Sequence, residues 1–123
     1  MFNEISVIGR VAQDPKLVVT KDGLNVVSLR VASSTWTKEG EYTTWFIASF
    51  WNKPAEYIMK NLKVGDLVHL VGTLRADRET GNPRVYKKRD GNFASEYEIK
   101  GRLITRLTKS TKHVDNNDNE MPF

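Results

Sequence analysis

Short runs that alternate apolar and polar residues recur along the chain, and turn residues separate them. Such runs predict β-strands, because side chains alternate between the two faces of a strand. Five runs fit this pattern: Ile5 to Val11, Leu24 or Asn25 to about Ser33, Tyr42 to Trp51, Leu67 to Arg75, and Tyr97 to about Leu107. The sequence therefore predicts a meander of strands rather than alternating strands and long helices.

One short helix is predicted between the third and fourth strands. Pro54 suits the first turn of a helix, residues 57–62 supply an apolar stripe, and Gly65 suits the stop. Glycines inside strands, Gly9 and Gly72, suit bends or bulges. This order is typical of an all-β OB-fold, a five-stranded Greek-key barrel with one short helix between strands three and four.

A polar segment, Ala76 to Ser95, separates the last two predicted strands. At about twenty residues it is longer than an ordinary connection. We therefore expect either a protruding hairpin or a binding loop.

The third strand contains the stretch TTWFIASFW, which is apolar on both faces. One face has tryptophans at its ends and the small Ser49 between them; its residues are Trp45, Ile47, Ser49 and Trp51. The other face consists of Phe46, Ala48 and Phe50. The phenylalanine face suits a core. The tryptophan face suits an exposed aromatic platform, and a strand buried on both sides is the alternative.

The fourth strand has a second apolar stripe beside its core face. Val68 and Leu70 share one face, whereas Leu67, His69 and Val71 share the other. The second stripe is either covered by a neighbouring segment or forms a subunit interface.

The composition limits the class of protein. With 123 residues, the chain is expected to form one domain. It has no cysteine and only two histidines, so neither a metal nor another cofactor is expected. No apolar run approaches the length of a membrane span, and the first residues lack signal-peptide features. These patterns predict a soluble intracellular protein.

The charge is unevenly distributed. Residues 1–112 contain 19 basic and 12 acidic residues, a net charge of +7, because three of the 15 acids follow the last lysine. A basic body with an acidic end predicts a polyanionic partner for the body and another role for the tail.

The sequence contains no motif typical of enzymes, such as a nucleophile elbow, a P-loop or HExxH, and we expect no catalytic activity. It does contain aromatic residues near cations. Single-stranded nucleic acid requires both, because unstacked bases offer π-faces and phosphates attract cations. The candidate stacking residues are Trp36, Trp45, Trp51 and Tyr86. The candidate phosphate contacts are Arg10, Lys53, Arg75, Arg78, Arg84, Lys87, Lys88 and Arg89.

Several segments, in this order, resemble the bacterial single-stranded DNA-binding proteins. They are NEISVIGRVAQDP, VSLRVASSTW, WFIASFWNKPAEY, GDLVHLVGTLR and the final MPF. The resemblance implies base stacking by Trp45 and Trp51, and by a residue near Trp36. Where many members have a further aromatic, this chain has Glu79, and Tyr86 is the candidate replacement.

The same resemblance implies a cytoplasmic, nucleoid-associated homotetramer. Such a protein protects single-stranded DNA during replication, recombination and repair, without sequence specificity. Residues 1–107 would form the DNA-binding domain. Residues 108–123 would form a disordered tail. This tail is short, because the long linker of the family is nearly missing here.

The stretch DNNDNEMPF, residues 115–123, has too little apolar content to join a core. We interpret it as a tip that docks on replication, recombination or repair enzymes. Its candidate docking residues are Asp118, Glu120, Met121, Pro122 and Phe123.

Two other interpretations share the barrel. An OB-fold RNA-binding or primosome-associated protein would also have aromatic residues and cations, although the acidic tail argues against it. A structural or sugar-binding OB module would use its tryptophans at a subunit interface or against a pyranose ring.

Overall fold

Residues 1–110, the part of the chain that the computed structural model describes, form eight strands and one helix. The strands are β1 Ile5–Val11, β2 Lys16–Val19, β3 Asn25–Thr37, β4 Gly40–Trp51, β5 Leu67–Leu74, β6 Val85–Lys87, β7 Phe93–Ser95 and β8 Tyr97–Thr108, and the helix is α1 Asn52–Asn61. The predicted docking residues Asp118 to Phe123 lie outside the described residues.

Five of these strands close into a barrel. The main sheet has the order β1-β5-β8-β4-β3-β2, and an additional pairing of β1 with β3 closes the ring. The pairing of β4 with β8 is parallel, whereas the other pairings in the barrel are antiparallel. These are the five predicted strands, with α1 between the third and the fourth of them. The predicted OB-fold barrel is confirmed.

The sequence-based prediction missed β2 and shortened the hairpin of β3 and β4. Strand β2 pairs only with residues 25–28 of β3, and all four of its residues are exposed, so no buried face gives it an alternating pattern. The hairpin of β3 and β4 extends to the pair Thr37–Gly40. The outer part of this hairpin is exposed, and backbone hydrogen bonds between the two strands hold it together. Because it has no buried face, its sequence lacks the alternation of apolar and polar residues by which strands were predicted.

The core lies inside the barrel and under α1. Phe50, Leu29 and Leu70 are fully buried, as is Ile58 of the helix. Ala48 and Phe50 are the buried residues of β4, and Phe46 packs against the same cluster. The predicted core face of this strand is therefore confirmed.

A glycine in β8 makes room for Phe50. Gly72 of β5 and Gly101 of β8 face each other in the ladder, and the register shifts between Val71 and Gly72. A Cβ atom on Gly101 would overlap the Phe50 ring. Because β8 has no side chain at this point, the Phe50 ring can lie close to the backbone of Gly101.

A buried carboxylate fastens the end of β8 to the turn after α1. Asp66 is 2% exposed and accepts hydrogen bonds from the backbone amides of Lys63, at 2.9 Å, and Ser110, at 2.5 Å. The guanidinium of Arg106 lies 3.9 Å from the same carboxylate. Asp66 thus holds both the turn after α1 and Ser110, the residue two positions after β8, against the barrel.

The long polar segment before β8 is a turn followed by a hairpin. One oxygen of Asp77 accepts hydrogen bonds from the amides of Glu79 and Thr80 and thereby shapes the turn. Strands β6 and β7 then pair with each other, and the Lys88 amide closes the tip on the Asn92 carbonyl at 2.7 Å. Of the two predicted forms of this segment, the structure shows the hairpin.

The burial of Phe50 gives a test of the core. Phe50→Ala should lower the free energy of unfolding by about 3–5 kcal/mol, because it removes a fully buried ring and leaves a cavity. Urea denaturation measures the change. Phe2→Ala is the matched control, because Phe2 is 83% exposed. Equal stability of the two variants would contradict the assigned core face.

Candidate nucleic-acid interface

The three tryptophans share one outer face of the β3–β4 hairpin. Trp45 pairs with Ala32, Trp51 pairs with Val26, and Trp36 is four residues along β3 from Ala32. Because directly paired residues and residues an even number apart point to the same side, all three indoles belong to the face opposite Phe50. Trp36 is 73% exposed, Trp45 is 49% exposed and Trp51 is half-buried. Burial of both faces of β4 is therefore excluded.

Trp51 lines a basic cleft of about 500 Å³, hereafter the Trp51 cleft. The cleft combines the indole with four cationic side chains and one carboxylate; besides Trp51, its lining is Arg75, Ala76, Asp77, Arg78, Arg84 and Lys100. The carboxylate, Asp77, is already used by the amides of its own turn. The cleft therefore offers an aromatic surface within an excess of positive charge.

Trp45 lines a second cleft, of about 610 Å³, between β3, β4 and the β6–β7 hairpin, hereafter the Trp45 cleft. Three aromatic side chains meet in it, together with two cations and one carboxylate; they are Trp45, Tyr86, Tyr97, Arg30, Lys88 and Glu96. The guanidinium carbon of Arg30 lies 5.9 Å from the Trp45 ring, a cation–π contact. This cleft is richer in aromatic rings and less basic than the first.

Arg84 connects the two clefts. It lines the Trp51 cleft, and its guanidinium carbon lies 5.5 Å from the ring of Tyr86, which lines the Trp45 cleft. Its Nε and Nη2 atoms donate to the two oxygens of Glu98, at 3.1 and 3.2 Å. This hydrogen bond, with the charge of Glu98, raises the pKa of Arg84. Glu98 thus uses two of the three guanidinium nitrogens of Arg84, and it does not use Nη1.

The hydroxyl of Tyr86 is held by an acidic residue as well. It donates to Glu96 at 2.9 Å, and the same carboxylate lies 3.7 Å from Arg30. The hydrogen bond to Glu96 raises the pKa of Tyr86 above its ordinary value, chiefly because it favours the protonated phenol. At neutral pH the ring therefore carries no negative charge that would repel an anion.

The structure brings some of the predicted cations together and separates others. Arg75, Arg78 and Arg84 line the Trp51 cleft, and Lys88 lines the Trp45 cleft. Lys87 and Arg89 are exposed on the β6–β7 hairpin. Lys53, in the first turn of α1, and Arg10 line neither cleft, and Arg10 instead donates to the Gly65 carbonyl at 2.9 Å.

Several residues of the clefts escaped the sequence-based prediction, namely Arg30, Glu96, Tyr97 and Lys100. Glu98, which binds Arg84, was not predicted either. Arg30 could have been predicted from the sequence. It lies two residues from Ala32 and six residues from Trp36 along β3, and residues an even number apart point to the same side of a strand. Glu98 and Lys100 reach the site through the parallel register of β8 with Ile47 and Ser49, which no local pattern reveals.

The predicted subunit stripe lies on another face of the barrel. The imidazole Nε2 of His69 and the hydroxyl of Ser6 are 2.6 Å apart, and Val71 is half-buried. Leu67 is only 8% exposed within its own chain, so it has little surface left for a partner. Two neighbouring side chains, Ile8 at 54% exposed and Leu103 at 53%, were not predicted.

Comparison with known proteins identifies the family. Residues 2–107 match the model of the single-strand binding protein family. The chain belongs to this family. It is 32% identical over 87 residues to single-stranded DNA-binding protein 1 of Synechocystis sp., covering 67% of this chain and 72% of that one. It is 31% identical over 105 residues to the single-stranded DNA-binding protein of Xanthomonas campestris, covering 81% and 61%.

A solved family structure shows the same fold. The small single-stranded DNA-binding protein from Streptomyces coelicolor superposes with a TM-score of 0.70 at 24% identity, covering 85% of this chain and 94% of that one. The chain spans a smaller share of several other relatives, including 38% of the Malacoplasma penetrans protein and 55% of the Neisseria meningitidis protein.

Residues 1–110 contain no group of three or more His, Cys, Asp or Glu side chains that could hold a metal ion. Nor do these residues form a helix long and apolar enough to cross a membrane.

The contact between Tyr86 and Glu96 predicts a change in titration. Glu96→Gln should lower the pKa of Tyr86, because the charged acceptor that favours the protonated phenol is lost. Phenolate absorbance across a pH titration measures this, with Tyr86→Phe identifying the contribution of Tyr86. Glu4→Gln, which removes the partner of Arg102 instead, is the matched control. An unchanged Tyr86 midpoint in Glu96→Gln would refute the contact.

Proposed function

We propose that this family member binds and protects single-stranded DNA, without sequence specificity, through the tryptophan face of its barrel. The observation that carries the proposal is the location of Trp45 and Trp51 in two neighbouring clefts, each containing cationic side chains. Bases stack on the indoles while phosphates contact the cations. The relatives from Synechocystis and Xanthomonas are named as single-stranded DNA-binding proteins, which supports DNA as the ligand.

The geometry favours single strands over duplexes. Bases in a duplex are already stacked on one another, whereas unstacked bases can lie on Trp45, Trp51 and Tyr86, at about 1–3 kcal/mol per base. Every base has a π-face, so binding of this kind tolerates any sequence. The partly exposed indoles also leave the rings accessible without unfolding any strand.

RNA is the second candidate ligand, since it offers the same base faces and phosphates. A sugar-binding role is less well supported, because four cations around Trp51 suit a polyanion rather than a neutral pyranose. Titration with oligo-dT, oligo-rU and a DNA duplex distinguishes these ligands by the quenching of tryptophan fluorescence.

Trp51→Ala should weaken binding of oligo-dT by about 1–3 kcal/mol, because one stacking surface is lost. Its melting temperature should stay near that of the parent, since the indole packs outside the core. Phe2→Ala is the control, because Phe2 is exposed and lines neither cleft. Parent-like affinity of Trp51→Ala, combined with a large loss of stability, would place Trp51 in the core and oppose the proposal.

Roles in replication, recombination and repair form a further part of the proposal. We assign them through the acidic segment 115–123, whose Met-Pro-Phe could enter an apolar slot on a partner enzyme while the acids steer association. This assignment rests on the sequence alone, since these residues lie outside the described part of the chain.

We also propose a homo-oligomer, a tetramer, in which the outer face of β1, β5 and β8 forms one of the subunit contacts. Ladder pairs place Ile8 beside His69, and Val71 beside Leu103, so four side chains form one surface. Two of them, Ile8 and Leu103, are more than half exposed within one chain. A surface with three apolar side chains around one histidine suits a self-complementary contact.

Light scattering tests the interface with two matched variants. Ile8→Glu should lower the mass measured at micromolar concentration, because it buries a charge in the subunit contact. Val18→Glu changes a similarly exposed side chain, on β2, and should leave the mass unchanged. A monomeric parent protein, or an equal effect of both variants, would contradict the interface.

A further inference from the structure

The β6–β7 hairpin has two different faces. Tyr86 pairs with Ala94, and both line the Trp45 cleft. Lys87 pairs with Phe93, one residue away on each strand, so these two side chains point to the opposite side. We call the surface formed by Val85, Lys87 and Phe93 the outer face of the hairpin.

The outer face of the hairpin has two apolar side chains that are mostly exposed to solvent. Phe93 is 71% exposed and Val85 is 62% exposed, on strands of three residues each. A phenyl ring in this position gains little free energy from burial, because most of its surface stays in water. Phe93 therefore does little for the stability of the barrel.

The charge around Phe93 suits a polyanion. Residues 84–95 contain four cations and a single acid, Asp90. That acid is partly used within the tip, since it accepts a hydrogen bond from the Asn92 amide at 2.9 Å and lies 4.0 Å from Lys88. Lys87 lies directly across the ladder from Phe93, and Arg89 follows at the tip. The ring is thus exposed within an excess of positive charge.

We propose that the outer face of the hairpin, Phe93 beside Lys87, is a second base-stacking surface for single-stranded DNA. The inference rests on the proposed function and extends it to a face outside both clefts. A strand in the Trp45 cleft can continue past the basic tip, where Lys88 already lines that cleft, and reach Phe93 on the other side. The hairpin then contacts DNA with Tyr86 on one face and Phe93 on the other.

The proposal predicts a dependence on DNA length. The two clefts contain more aromatic rings and more cations than the outer face, so a short oligonucleotide should occupy them first. Only a longer strand should reach Phe93. The relevant range is about 4–16 nucleotides per barrel.

The experiment measures affinity for an oligo-dT series from about 4 to about 30 nucleotides, a range that brackets the site sizes of single barrels. Phe93→Ala should weaken binding of the long oligonucleotides about 5- to 150-fold, the loss of one stacked base. It should leave the shortest ones that bind unaffected. The dependence of affinity on salt should not change, because the substitution removes no charge.

Three further variants identify the type of contact. Phe93→Trp should retain the affinity of the parent, because it keeps a π-face, whereas Phe93→Leu should behave like Phe93→Ala, because it is apolar without one. Phe2→Ala, at another exposed phenylalanine, should bind like the parent protein.

Several results would overturn the proposal. The first is parent-like binding of Phe93→Ala at every DNA length, and the second is parent-like binding of Phe93→Leu. The third is a changed oligomeric mass of Phe93→Ala, which would make the outer face of the hairpin a subunit or protein contact. None of these three results contradicts the proposed function, provided that the parent protein binds oligo-dT and that Trp51→Ala binds it less tightly. Failure of the parent to bind would overturn the proposed function, and this inference with it.

Discussion

The contact of the Phe50 ring with the backbone of Gly101 fixes which way β4 faces. Phe50 is fully buried, and β8 has no side chain where the ring lies. Because neighbouring side chains on a strand point to opposite sides, an inward Phe50 requires an outward Trp51, and Trp45 follows with the same period. The core and the proposed DNA surface are thus two sides of one strand, and neither can move without the other.

Alternation along single strands was sufficient to predict much of this arrangement. The core residues Ala48 and Phe50, the outward Trp45 and the positions of the five barrel strands along the chain all follow from local patterns, and the structure confirms them. Local patterns do not reveal which strands become neighbours. The parallel pairing of β4 with β8 brings Glu98 and Lys100 beside the tryptophan face from half a chain away. Cations such as Arg10 were predicted by charge alone, which does not tell one face of the barrel from another.

The carboxylates beside the cations affect how the proposed site would work. Arg84 and Arg30 each lie beside a glutamate, and the two glutamates, Glu98 and Glu96, hold Arg84 and Tyr86 in place. A cation that shares its charge with a carboxylate attracts a phosphate less strongly. The junction of the two clefts should therefore contribute mainly aromatic surface, while Arg75, Arg78 and Lys100 supply most of the attraction for the backbone.

The central claim is that the tryptophan face of the barrel is where the bases lie. Photo-crosslinking with oligo-dT that contains 5-iodouracil, followed by peptide mass spectrometry, tests it directly. The account predicts crosslinks at Trp45, Trp51 or Tyr86, all within the two clefts. Crosslinks confined to the outer face of β1 and β5, around Ile8 and Val71, would contradict it.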